Sequence, residues 1–347
     1  MGKFLIRCFP AHSSIIMKIY LSQLVQNHSL SKEDAWAALS KIACGEVNTS
    51  QTAAFLMGVQ QKGITAAELE GFREAMLELA IPVDLSDFDA MDVCGTGGDG
   101  KNTFNVSTTA AFVVAGAGQK VAKHGNHGVS SSVGSSTVLE YLGVKFTNDP
   151  DYLRKKIDTA GICYLHAPLF HPAMKHVGPV RKDLGMKTFF NMLGPMLNPA
   201  KVKKQLTGVY DIKVFELFEQ VFRKTDGRFG IVFDLAVYDE ISLTGDFLFS
   251  SHFPSADGGE LFSPSAFGFE SINPEDIYGG DTLEDSAEIM LSVLENRATK
   301  AQTRVVLANA ALALGVARNI TIEEGLAQAS ESLKSGKALK ALKTLVE

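Results

Sequence analysis

Cysteine is scarce in this sequence. The four residues Cys8, Cys44, Cys94 and Cys163 are widely spaced and form no C-x-x-C. Neither a zinc knuckle nor a disulfide framework is suggested, and a reducing cytoplasm is the expected compartment. Positive charge is also in deficit: 33 Lys+Arg against 39 Asp+Glu leave a formal net charge of −6. Such a chain lacks the bulk positive field of a non-specific nucleic-acid binder, so any phosphate ligand must be held by a local site. A small-molecule partner is expected, with no nucleic acid. No apolar run approaches the ~18 residues of a membrane span. The longest candidate, Thr109 to Gly118, is rich in Ala and Gly, and no membrane partner is expected. There is no internal repeat and no low-complexity segment.

What is present is an ordinary globular composition, 46% hydrophobic over 347 residues, enough for one large or two modest domains with a full core. Residues 1–16 read as a disordered lead-in or an upstream start codon before Met17, with a targeting peptide as the alternative reading. From about Met17 to residue 84 the spacing predicts a small helical domain. Ser31 with Asp34 opens one helix that stops at Gly45, and Thr65 with Glu68 forms a capping box for another. After the polar turn Pro82–Asp89, short apolar runs alternate with helices, the pattern of a mostly parallel sheet flanked by helices. Strands are predicted at 90–94, 120–123, 162–165, 205–210 and 230–233. Helices are predicted at 107–117, 135–142, 150–159 and 212–224, and the C-terminal third from Glu284 onward reads as mostly helix. The stretch Pro172–Pro199, helical but punctuated by Pro179 and Pro195, is expected to leave the sheet and join the helical domain. The α/β domain then comprises 85–171 and 200–347.

The 31 glycines slightly exceed the usual ~7%, and their placement is informative. Asp92-Val-Cys-Gly95-Thr96-Gly97-Gly98-Asp99-Gly100 lies between a predicted strand and, after Asn105-Val106-Ser107-Thr108, a helix. Glycines allow positive φ and let N–H groups approach a ligand, and the helix start behind them suits phosphate. The register is neither G-x-G-x-x-G nor a P-loop. A second segment, Lys123-His124-Gly125-Asn126-His127-Gly128-Val129-Ser130-Ser131-Ser-Val-Gly134-Ser135, repeats the strand–turn–helix setting. It adds a cation, an amide and several hydroxyls. Two such turns at the C-terminal ends of strands in one sheet face the same crevice.

Together these two motifs resemble anthranilate phosphoribosyltransferase. The resemblance extends through His171-Pro-Ala-Met174, Pro179-Val-Arg181-Lys182-Asp-Leu-Gly185, Phe190-Asn191-Met-Leu-Gly194-Pro195, Asn198-Pro199 and Asp239-Glu240-Ile-Ser242, in family order from about Met17 to the C-terminus. It implies transfer of a phosphoribosyl group from phosphoribosyl pyrophosphate to the amine of anthranilate, in tryptophan biosynthesis, by a homodimer joined through its helical domain. By matching position, phosphoribosyl pyrophosphate would be held by Gly95, Gly98, Asp99, Thr103, Asn105, Val106, Ser107, Thr108, the stretch Lys123 to Ser131, and Ser135. Mg²⁺ would be held by Ser107, Asp239 and Glu240. Anthranilate would meet Gly95, Asn126, His171 and Arg181, whose guanidinium takes the carboxylate, with Pro172 beside His171 along the aromatic channel. Lys182 is expected in solvent. No discrete acid or base is implied, because an aromatic amine is already neutral at pH 7 and the barrier lies in the departure of pyrophosphate.

The sequence departs from the family pattern in four places. His127 stands where Arg is usual, Thr137 replaces a common acidic residue, and Phe233-Asp234 and Val237 stand where His-Gly and Gly are often seen. Two rival readings are a pyrimidine nucleoside phosphorylase, which shares the helical-plus-α/β design, and a non-catalytic relative that binds nucleic acid. The complete G-T-G-G-D, H-G-N and Asp239-Glu240 set favours the transferase over the first. The acidic balance argues against the second.

Overall fold

The computed structural model describes residues 13–128, 133–252 and 259–347. It divides into two compact units: residues up to Pro82 with Pro168–Pro199, and Val83–Ala167 with Ala200–Glu347. No disulfide joins the described cysteines, and among the described residues no single helix is long and apolar enough to cross a membrane.

The first unit contains helices Ser13–Val25, Lys32–Ala43, Thr49–Lys62, Ala66–Glu78, Met174–Leu184 and Phe190–Leu193. Of the expected lead-in, residues 1–12 lie outside the described residues, and Ser13–Ile16 correct it, because they already belong to the first helix. Met17, Tyr20 and Leu24, three and four apart, are buried, and the backbone turn ahead of them continues the same helix. The Oγ of Ser31 accepts the Asp34 N–H at 3.0 Å, and Thr65 with Glu68 forms a complete capping box. Glu68 does more than cap: its buried carboxylate also accepts the Leu30 N–H at 2.9 Å and the Lys62 ammonium at 2.8 Å. The later segment belongs here because of its aromatics. Phe189 stacks on Phe72 with centroids 4.3 Å apart, and Phe72 meets Phe55 edge-on at 5.9 Å. Burying one such ring contributes about 1.5–3 kcal/mol.

In the second unit, β1 (Met91–Gly95), β2 (Val121–Gly125), β3 (Ile162–His166), β4 (Lys204–Val209), β5 (Arg228–Asp234), β6 (Phe247–Ser251) and β7 (Glu260–Phe262) form one sheet in the order β3-β2-β1-β4-β5-β6-β7. The first five strands are parallel, at the positions predicted for them; β6 and β7, which the sequence pattern does not predict, are antiparallel. The helix Val106–Gly116 is buried along almost its whole length, covered by Lys300–Arg318 and the two helices that follow it. From β1 the chain runs outward through β2 and β3, then returns to the other side as β4 and β5. The strand order therefore reverses between β1 and β4, and a ligand crevice is expected outside their C-terminal ends.

Candidate active site

At that reversal β1 ends in Gly95, whose register partner on β4 is Gly208, and the Thr96 N–H donates to the Gly208 carbonyl at 3.0 Å. The segment carrying Asp239 lies directly on both glycines. A β-carbon at Gly95 would lie 2.2 Å from Asp239 Oδ2, and one at Gly208 would lie 1.7 Å from the Asp239 carbonyl oxygen. Gly97 and Gly98 take φ of +65° and +84°, a turn that L side chains resist. The Gly97 N–H donates to Asp239 Oδ2 at 2.6 Å. The first glycine turn thus presents an amide to an anionic oxygen, here one of the chain's own carboxylates. Gly208 is a site residue that motif reading missed; its only sequence signal is a glycine inside the apolar run 205–210.

Asp239 adjoins Asp99 and Glu240. Burial, then the charge of Asp99, pushes the Asp239 carboxyl up to about 7. Burial and Asp239 push Glu240 well above the usual carboxylate range, and burial raises Asp99. Glu240 Oε1 and Asp99 Oδ2 are buried with no hydrogen-bond partner. Crowded carboxylates with unfilled oxygens fit a hard divalent cation such as Mg²⁺. Among the described residues no three carboxylate, imidazole or thiol groups close a metal cage of their own, so a cation here would complete its shell with ligand oxygens. Thr103 hydrogen-bonds Glu240, and Ser107 is half-buried on the first turn of the following helix.

Several of the expected residues are buried. Lys123 is only 2% exposed, and its ammonium donates to the Val93 carbonyl at 2.6 Å; its basicity is lowered by burial although Asp92 sustains its charge. It lies on the interior strand β2, its ammonium turned toward the neighbouring β1. Val106 and Thr108 are core side chains, so neither offers a side chain to a ligand. His124 is buried, and its N–H donates to Asp92 Oδ1 at 3.2 Å.

The second loop is built against the start of the next helix. A β-carbon at Gly125 would lie 2.3 Å from the Tyr164 hydroxyl and 2.5 Å from Ser135 Oγ, so only glycine admits that approach. The Asn126 carbonyl accepts from Ser135 Oγ at 3.2 Å and from the Ser136 N–H at 3.1 Å. Asn126, His127 and Gly128 are exposed; Val129, Ser130 and Ser131 lie outside the described residues. Asn105 ties the motifs together, donating from Nδ2 to the Val133 carbonyl at 3.2 Å.

Two of the family departures lie in the turn that carries Asp239 and Glu240. Asp234 is buried; its Oδ2 accepts the Ser242 N–H at 3.0 Å and the Ser242 hydroxyl at 2.6 Å, while Oδ1 accepts the Ala236 N–H at 2.8 Å. Val237 takes φ of +68°, the left-handed conformation that glycine would adopt freely.

In the helical unit, Arg181 is half-buried, its guanidinium carbon 5.2 Å from the Phe190 ring centroid and one terminal nitrogen donating to Asn191 Oδ1 at 3.3 Å. Its Nε is buried with no hydrogen-bond partner. A flat, ring-backed guanidinium with an unfilled edge suits a planar carboxylate. Lys182 is exposed, as expected. His171 is buried, which holds its imidazole down at about 4, so it is neutral at pH 7.

The chain thus joins a helical unit to an α/β unit with a mostly parallel sheet, whose reversal point carries glycine turns and carboxylates. Residues 87–339 match the family described as "Glycosyl transferase family, a/b domain", and residues 18–80 its "helical bundle domain". Anthranilate phosphoribosyltransferases of Christiangramia forsetii and Flavobacterium johnsoniae are each 51% identical to it, over 95% of this chain and 98% and 99% of theirs. Among solved structures, the anthranilate phosphoribosyltransferase of Thermus thermophilus superposes with a TM-score of 0.88 at 31% identity, covering 94% of this chain and 98% of that one. The Saccharomyces cerevisiae enzyme in complex with PRPP and Mg gives 0.87 at 28%, covering 97% and 98%. The chain belongs to this glycosyl transferase family, in the branch formed by the anthranilate phosphoribosyltransferases.

Proposed function

We infer that this chain transfers the 5-phosphoribosyl group of phosphoribosyl pyrophosphate to the amine of anthranilate, giving N-(5-phosphoribosyl)anthranilate and pyrophosphate, the step this family supplies to tryptophan biosynthesis. The observation that carries the reading is the meeting of the Gly95–Gly98 turn with Asp99, Asp239 and Glu240 at the sheet reversal, in a chain half-identical to enzymes of that name. In the reaction the bond from the anomeric carbon to pyrophosphate breaks, the bond to the amine nitrogen forms, and the amine proton leaves to solvent. Positioning and charge stabilisation supply most of the acceleration.

The turn amides of Gly97 and Gly98, with Thr103, Asn105, Ser107 and Ser135, bind the diphosphate, whose oxygens take the place that Asp239 Oδ2 holds at the Gly97 N–H. Asp239 and Glu240, with Ser107, would hold Mg²⁺, which neutralises developing charge on the leaving diphosphate. Arg181 binds the anthranilate carboxylate, with the neutral His171 of the same unit on the aromatic side. A cytoplasmic homodimer is the setting that family membership favours.

Incubation with Mg²⁺, phosphoribosyl pyrophosphate and anthranilate is expected to deplete anthranilate fluorescence. Unchanged fluorescence together with phosphate-dependent cleavage of thymidine would move the assignment to a nucleoside phosphorylase. Asp239→Asn combined with Glu240→Gln is expected to raise the Mg²⁺ needed for half-maximal rate; an unchanged requirement removes these two from the metal site.

A further inference from the structure

Two of the departures from the family pattern touch each other. Nδ1 of His127 lies 3.1 Å from the hydroxyl of Thr137, so a histidine in the usual arginine position is met by a hydroxyl in the usual acidic position. The contact is the outer end of a connected set of side chains. Ser135, Ser136 and Thr137 are consecutive at the start of the helix Ser135–Tyr141, and each hydroxyl has a different task. Ser135 Oγ donates to the Asn126 carbonyl and lies 2.9 Å from the Tyr164 hydroxyl. Ser136 Oγ lies 2.8 Å from both the Tyr164 hydroxyl and His166 Nδ1. His166 stacks on Phe146 with centroids 4.6 Å apart and meets the His127 ring nearly perpendicularly at 5.1 Å.

We propose that Thr137 and His166 are positioning residues for phosphoribosyl pyrophosphate, holding the His127 imidazole by its Nδ1 edge and by its ring so that Nε2 is presented to the substrate's phosphates. The proposal rests on the reading that His127 contacts the diphosphate. The physical reason is the asymmetry of imidazole: the bond made by one ring nitrogen sets the tautomer and orientation available at the other. His127 is exposed on a loop and without an anchor would spend its contact on ordering itself. His166 stands edge-on to it, its own basicity lowered by burial, followed by the influence of His127. Its own fixation comes from Ser136 and Phe146, so the anchoring runs back to β3.

A double-mutant cycle tests this. Thr137→Val keeps the shape and removes the hydroxyl; it is expected to raise the KM for phosphoribosyl pyrophosphate about 5- to 10-fold, with kcat and the KM for anthranilate within about twofold, the pattern of lost substrate binding. Thr137→Ser is expected to restore the KM. His127→Ala is expected to raise the same KM at least as much, and Thr137→Val added to it to change nothing further. His166→Phe, which keeps an aromatic ring, is expected to raise the KM in the native background and not in His127→Ala. If His127→Ala leaves the KM unchanged, the reading of His127 as a phosphate contact fails. If His127→Ala raises it while Thr137→Val does not, or if the two effects multiply, the reading of His127 stands and the positioning role is overturned.

Discussion

The β-carbon that Gly208 lacks would lie 1.7 Å from the carbonyl oxygen of Asp239. No side-chain rearrangement relieves a contact between two backbones, so any substituent at Gly208 must push the Asp239–Glu240 turn off the end of β4. Gly208→Ala is therefore expected to lower kcat about 100-fold, the scale of a 1 Å misplacement, and to raise the Mg²⁺ concentration for half-maximal rate. Steady-state kinetics across a Mg²⁺ titration, with circular dichroism to check the fold, measure this. Native kinetics in the variant would mean that the turn has another seat.

Arg181→Ala removes a charge-assisted contact worth about 1.5–3 kcal/mol. The KM for anthranilate is expected to rise about 10- to 100-fold while that for phosphoribosyl pyrophosphate stays within about twofold. Arg181→Lys is expected to recover little, since an ammonium lacks the planar fork. Equal effects on both substrates would show the arginine to be misassigned.

His171 gives the fold a pH dependence. Its imidazole is held at about 4 in the folded chain by burial, against about 6.5 when unfolded. Between these values the unfolded chain binds more protons, so stability falls as pH drops through this window by up to about 1.4 kcal/mol per pH unit from this group. Above pH 7 the residue contributes no slope. Urea unfolding at pH 4.5, 5.5 and 7 is expected to show a steeper loss for the native chain than for His171→Asn; parallel curves would argue against a neutral buried imidazole.

Val237 carries its side chain in a conformation that costs an L residue about 1–2 kcal/mol, partly offset in Val237→Gly by the greater freedom of glycine in the unfolded chain. The variant is expected to gain up to about 1 kcal/mol and melt about 1–3 °C higher. A lower melting temperature would show that the valine side chain contributes packing that outweighs the strain.

These expectations divide according to what a sequence can express. Strands β1 to β5 are legible because short runs holding Val, Ile, Leu or Phe alternate with helical stretches, even though Asp92, Lys123 and Gln205 are buried among them. β6 and β7 are not: β6 offers only the three apolar residues Phe247-Leu248-Phe249, two of them half-buried, and the edge strand β7 has Glu260 and Leu261 exposed. Gly95 and Gly98 stand in a cluster that announces a turn, whereas Gly208 is required by a backbone that arrives 31 residues later in the chain. The motif shows Lys123 as a cation but not the direction its ammonium takes; its place on the interior strand β2 turns it toward the Val93 carbonyl. Thr137 stood out only as a departure, and its meaning lies in the ring it touches.

The stacking of Phe189 on Phe72 also sets an order of events during synthesis. The four helices of the N-terminal segment emerge from the ribosome more than a hundred residues before the ring that completes their aromatic cluster. At about 5–20 residues per second this is a wait on the order of ten seconds. During that interval Phe55 and Phe72 lack one of their neighbours, and the early helices are a nascent chain that chaperones can engage.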